Sequence, residues 1–182
     1  MFTLQTGVSA FQRADGLLAI RRLLAVLNIA MADTAFTTWS GKRFYGAVPN
    51  EVTWRPVTSI PLAGTDGNPD TSPDPDWLPL ITTPAHPEYP AGHPSQNGAG
   101  ATVLLGQFGR RQTFTLTTIG QPSRTYTSIA QARSDGNNAR IWGGLHYPST
   151  VGISDAEGAA IATYVNSNSM QRLHGGDDDN GR

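Results

Sequence analysis

The sequence predicts a mainly α protein, a helical bundle whose functional end is made of long Pro/Gly-rich loops. Three observations predict it. Apolar residues near the start of the chain recur at spacings of three and four. A Ser-x-x-Glu capping pattern precedes a second apolar run near the end. Gly (20) and Pro (13) are plentiful, and most of the prolines fall between residues 40 and 90, which makes that region one long turn-rich excursion.

The 182 residues are enough for one domain with a core that needs no covalent staple. Residues 1–173 are assigned to that domain and 174–182 to a disordered acidic tail, in which His174, Asp177, Asp178 and Asp179 form a solvated run.

Taken in order, the first helix spans Ala14 to about Thr38. Leu17, Ile20, Leu24, Leu27 and Met31 form one stripe, and Leu18, Leu23, Val26 and Ile29 widen it almost around the helix. A helix apolar on most faces is buried or needs a partner. The expectation is therefore a homo-oligomer, or a chain incomplete at its N-terminus. Arg21, Arg22 and Asn28 argue against a membrane span. The segment also lacks the order of a signal peptide. A soluble protein is expected, with its compartment left open.

The loops follow. Asp66-Gly67-Asn68-Pro69 and Ser72-Pro73-Asp74-Pro75-Asp76 are turn chemistry. Trp54, Trp77, Leu78, Leu80 and Ile81 are expected to anchor this excursion and keep it ordered. A second helix is expected from Pro94 to Phe108 and a short strand over Thr113–Thr117. A third helix from Tyr126 to Asp135 should be broken by Gly136-Asn137-Asn138. The last helix should start with Ser154 at the N-cap and Glu157 at the third helical position, and run to about Met170.

Charge and composition exclude several functions. The net charge of −1 creates no field that would gather nucleic acid or an anionic membrane, so an anion site must be assembled locally. There is no cysteine, which removes disulfides and thiolate metal sites. No phosphate-binding loop, dinucleotide fingerprint or zinc spacing is present.

Three segments carry the chemistry. In Ala91-Gly92-His93-Pro94, Pro94 suits the first position of a helix, where its missing N–H costs nothing. Gly92 lets a ligand approach the backbone, and a histidine at a helix mouth can pass a proton. In Arg140-Ile141-Trp142-Gly143-Gly144-Leu145-His146, an unbroken helix would turn about 600° from Arg140 to His146, leaving them pointing apart. The Gly-Gly break lets the chain turn and bring them together. Arg140 offers fixed charge and a planar fork of donors to an oxyanion. Trp54-Arg55-Pro56, with Trp39-Ser40-Gly41-Lys42 upstream, adds two more cations.

Together these segments resemble the C-terminal part of the vanadium-dependent haloperoxidase and type-2 phosphatidic acid phosphatase superfamily. The resemblance covers roughly residues 30–170. It rests on HPEYPAGH (86–93) with GAGA (98–101), on ARIWGGLHY (139–147) and on WRPVT (54–58), with the DGNP and DPDW turns and SIAQA (128–132) in the same order. It implies that His146 bonds to the metal of vanadate, or attacks phosphorus in a phosphatase. It implies His93 as general acid–base. Arg55, Arg140 and Lys42, with the Gly92 N–H, would neutralise the equatorial oxygens. His86 stays a loop residue before the motif.

Two departures stand out. The family's usual serine before Gly-His is Ala91 here, which removes a hydrogen bond to the oxyanion. The family's Lys and Arg lie close together on one helix, whereas Lys42 and Arg55 are thirteen positions apart. Three functions remain open. One is a haloperoxidase-like enzyme using vanadate, halide and hydrogen peroxide. Another is an acid phosphatase acting on phosphate esters through the same residues. The third is a catalytically impaired remnant that keeps the fold.

Overall fold

The first helix outruns its apolar stripe. In the computed structural model, which describes residues 14–47 and 53–171, α1 runs Ala14–Ala47, well past Thr38, and so carries Lys42. Gly41 and Gly46 lie in its last turns without ending it. Prolines cover both: an added Cβ would meet Pro90 at 3.0 Å from Gly41 and Pro87 at 2.6 Å from Gly46. Tertiary packing overrides the weak helix propensity of glycine here.

Short elements follow: α2 (Pro56–Ser59), a 3-10 turn (Ala63–Thr65), α3 (Gly92–Phe108), β1 (Phe114–Leu116), β2 (Arg124–Tyr126), α4 (Ile129–Trp142) and α5 (Pro148–Asn168). The mainly α expectation holds. The β1–β2 pair is a small antiparallel hairpin with Thr115 opposite Thr125. Its first strand was expected; its second was not, and it takes in Tyr126, assigned above to the start of a helix.

The core lies where α1, α3 and α5 meet. Val26 and Ala30 of α1, Ala99 and Val103 of α3, and Ala162 and Val165 of α5 form one buried cluster. Small residues let α3 and α5 touch backbone to backbone. A Cβ on Gly98 would lie 2.1 Å from Asp155 O, and one on Gly158 would lie 1.8 Å from Ser95 O. Gly100, two residues on from Gly98, meets only side chains of α1, with Met31 Sδ 3.6 Å from an added Cβ.

Three helix boundaries differ from expectation. α3 begins at Gly92 with Ala91 as its extended N-cap, so His93 sits in the first turn and Pro94 is not the first helical residue. α4 is capped by Ser128, whose side chain accepts from Gln131 N, and it continues through Gly136-Asn137-Asn138. The helix survives there because Asn137 is buried and its Oδ1 accepts from Asn97 Nδ2 at 3.0 Å. α5 starts at Pro148, not at Ser154. Both members of the supposed capping box are used elsewhere. Ser154 Oγ accepts from Ala91 N at 2.7 Å, and Glu157 accepts from Ser95 Oγ at 3.2 Å.

The 53–91 excursion is ordered mainly by its own turns. Asp66 accepts from Asn68 N at 2.8 Å and from Thr71 Oγ1 at 2.9 Å, and Asp74 accepts from Asp76 N at 3.2 Å. Of the five expected anchors, Trp77 and Ile81 pack against Gly144 and Gly143. Leu78 and Leu80 are about four-fifths exposed, and Trp54 is half exposed. Local hydrogen bonds therefore replace much of the apolar anchoring. The outer face of α1 also stays open, with Leu17, Leu18, Leu24, Phe36 and Phe44 exposed. No described helix is long and apolar enough to cross a membrane. The acidic tail expected from His174 lies outside the described residues.

Candidate functional site

Arg55 is the hub of the loop end of the bundle. It is the N-cap of α2, its backbone held extended (φ −72, ψ 153) before Pro56. Its guanidinium is buried and spends its donors on three carbonyls. Nη1 donates to Leu145 O at 2.8 Å. Nη2 donates to His86 O at 3.1 Å and Pro87 O at 3.2 Å. Nη1 also reaches His146 Nε2 at 3.3 Å. The remaining nitrogen, Nε, is buried without a partner.

His146 arrives by the expected turn. Gly143 closes α4 and Gly144 takes φ +74, a region that suits glycine. A Cβ on Gly144 would also collide with Trp77 at 2.8 Å. The N–H groups of Leu145 and His146 both donate back to Arg140 O, at 3.0 and 3.3 Å. The ring is buried. Its Nδ1 lies 2.8 Å from Glu88 Oε1.

The other expected residues gather here too. Lys42 is buried, at 2% exposure, and donates to Pro87 O at 2.7 Å and Glu88 O at 3.3 Å. Lys42 and Arg55 therefore grip the same carbonyl, although one lies on α1 and the other caps α2. Gly92 opens α3, where its N–H is among those without a helical partner. A Cβ on Gly92 would meet no atom within 4 Å, so the space beside that backbone is open. Arg140 Nε is buried without a partner. His93 is exposed at the mouth.

Two residues escaped the sequence reading. His86, expected only as a loop residue, brings Nδ1 to 3.1 Å from Arg55 Nη2 and rests its ring edge-on to Trp39 at 5.2 Å. Glu88 is buried at 1% exposure. It accepts from Thr150 Oγ1 at 2.9 Å and Tyr147 N at 3.3 Å as well as facing His146. A carboxylate between two prolines, in a chain with only 15% charged residues, was a usable signal for Glu88.

The electrostatics follow from burial among cations. Desolvation, then the Arg55 charge, lowers Lys42 to about 8, against the pull of Glu88. Burial pushes His146 below the usual imidazole range even though the Glu88 bond opposes it. His93 is lowered by partial desolvation, then by Arg140, His146 and His86. His86 is lowered by desolvation first, then by Lys42, Arg55 and Arg140 against a bond to Pro87. At neutral pH the cluster therefore presents neutral imidazoles beside fixed guanidinium charge. Such a set attracts an oxyanion and repels a bare metal cation. Among the described residues no group of three or more His, Asp or Glu could hold such a cation.

The fold and this cluster define a helical-bundle protein with a cation-rich loop end. The chain belongs to the vanadium haloperoxidase superfamily: the family model described as the VCPO second helical-bundle domain matches residues 22–175. It is similar to the crystal structure of a protein described as the first bacterial vanadium-dependent iodoperoxidase. That match has a TM-score of 0.68 and 28% identity, and covers 80% of this chain and 32% of the other. An apo-type bacterial vanadium-dependent chloroperoxidase shares the fold, with a TM-score of 0.61 and 19% identity over 80% of this chain and 35% of that one. The chain thus spans about a third of the length of both structures. No curated protein sequence matches it.

Proposed function

We propose that this chain binds vanadate and promotes peroxide-dependent oxidation of halide. The observation that carries it is the meeting of Arg55 and His146, with Nη1 3.3 Å from Nε2, at the end of the bundle where Lys42, His93 and Arg140 converge. The donor set suits the group. Two guanidinium Nε atoms are buried without a partner, open space lies beside the Gly92 backbone, and the buried Glu88 is engaged behind His146.

His146 Nε2 would be the ligand to the metal. Arg55, Arg140 and Lys42 would balance the oxygens, with the Gly92 N–H donating as well. His93, exposed at the mouth and held largely neutral at pH 7, would accept and return the proton of an incoming peroxide. When bound, vanadate supplies a Lewis-acidic centre that activates peroxide toward halide. The open apolar face of α1 supports association with a further helical surface, which light scattering on the purified chain would detect.

The test is to incubate the chain with and without orthovanadate, then assay bromide oxidation by peroxide and cleavage of p-nitrophenyl phosphate. Vanadate-dependent bromination is the expected result. Phosphatase activity blocked by vanadate would replace it with the phosphoesterase function. Neither activity, with no vanadate binding, would leave a fold without this chemistry. His146→Ala should abolish whichever activity exists.

A further inference from the structure

We propose that Glu88 is a positioning residue that locks His146 in the tautomer with its proton on Nδ1 and Nε2 bare toward Arg55. The inference rests on His146 as the residue that meets the oxyanion, and it adds the group that orients it.

Two neighbours of opposite character fix the ring. A carboxylate only accepts and a guanidinium only donates. Glu88 Oε1, 2.8 Å from Nδ1, therefore requires a proton on Nδ1. Arg55 Nη1, 3.3 Å from Nε2, requires a lone pair there. The reversed tautomer would set lone pair against lone pair on one side and proton against proton on the other. The wrong form thus fails at both ends.

Glu88 is itself immobilised. Tyr147 N donates to Oε1 at 3.3 Å and Thr150 Oγ1 to Oε2 at 2.9 Å, so both oxygens are held from α5 and its N-cap. Lys42 Nζ donates to the Glu88 carbonyl at 3.3 Å, which fixes the backbone as well. The carboxylate is 1% exposed, so water cannot stand in for it. A charged acceptor behind an imidazole makes the far nitrogen a stronger electron donor and sets the plane of its lone pair. Glu88 would tune how tightly Nε2 holds the central atom of a tetrahedral oxyanion without touching that anion.

The test uses the full chain labelled with 15N. Long-range proton–nitrogen spectra, with His146 assigned through H146Q, report which ring nitrogen carries the proton. Without anion at neutral pH, the wild-type chain should show Nδ1 protonated and Nε2 bare. E88Q keeps the shape but loses the charge, and its amide can turn to donate. It should show a population with Nε2 protonated, and its orthovanadate affinity, measured by calorimetry, should fall about tenfold or more. E88D should restore part of that loss. A wild-type proton on Nε2, or an E88Q chain with unchanged tautomer and affinity, would overturn the proposal. If E88Q does not fold, the wild-type spectrum decides alone. If the wild-type chain binds no vanadate, the oxyanion function fails, while the tautomer comparison still decides the role of Glu88.

Discussion

Ser154 Oγ accepts a hydrogen bond from the backbone N–H of Ala91 at 2.7 Å, tying the middle of α5 to the residue that launches Gly92 and His93. Both residues are fully buried. Ser154→Ala would leave the Ala91 N–H without a partner and without water. An unsatisfied buried donor costs about 1–3 kcal/mol. The melting temperature should fall by roughly 2–4 °C for each kcal/mol lost in a chain of this size. An unchanged thermal transition would mean that another acceptor reaches Ala91.

The α3–α5 contact gives a paired prediction. Gly158→Ala would place a methyl 1.8 Å from Ser95 O, so the helices must part. Overpacking typically costs about 1–3 kcal/mol and sometimes more, and this collision is with rigid backbone. Gly152 lies on the same helix with nothing within 4 Å of an added Cβ. Gly152→Ala should instead stabilise by roughly 0.4–1 kcal/mol through the unfolded chain. Urea titrations of the two variants should move in opposite directions.

These elements show why some of the site was legible in the sequence. The Gly143-Gly144 break has a stereochemical consequence that can be worked out from spacing alone, and the chain does turn back there, with the His146 N–H donating to Arg140 O at 3.3 Å. Ser154 misled because a capping box and a buried tertiary acceptor share one pattern, Ser-x-x-Glu. Only the position of Ala91, 63 residues away, separates the two. Glu88 was missed for the same reason, since its partner His146 is 58 residues distant. Lys42 departed from the expected pattern because it lies thirteen positions from Arg55 instead of sharing a helix with it, and α1 runs past it through Gly41 and Gly46. The prolines that cover them come from the 87–90 segment, which no local pattern reveals.

Lys42 links pH to anion binding. Its folded value is about 8 against 10.5 when free, so between those values the unfolded chain holds more protons than the folded one. Stability contributed by this site therefore rises with pH through the window, because the buried ammonium no longer has to be kept charged. Anion affinity should move the other way, falling above about pH 8 as the charge is lost. Tungstate, a dianion throughout, is a suitable probe. In Lys42→Met the affinity should be lower overall and flat between pH 8 and 10. The wild-type stability advantage in urea, measured against that variant, should grow over the same range. A wild-type tungstate affinity independent of pH would place Lys42 outside the anion's field.

Ala91→Ser would supply the hydroxyl that the family resemblance leads one to expect before Gly-His. Ala91 is fully buried and its own N–H is already committed to Ser154, so the new hydroxyl must find its partner elsewhere. With an oxyanion beside Gly92, that partner is an anion oxygen, and a hydrogen bond to a charged group is worth about 1.5–3 kcal/mol. Each 1.4 kcal/mol or so is tenfold in affinity, so vanadate should bind roughly ten- to a hundredfold more tightly. Without the anion the same hydroxyl is buried and unpaired, at a cost of about 1–3 kcal/mol. The two effects are coupled through ligand linkage: vanadate should raise the melting temperature of A91S more than that of the wild-type chain, from a lower starting point. A variant that is destabilised but gains no affinity would show that the side chain at position 91 does not face the anion, and that Gly92 meets it through backbone alone.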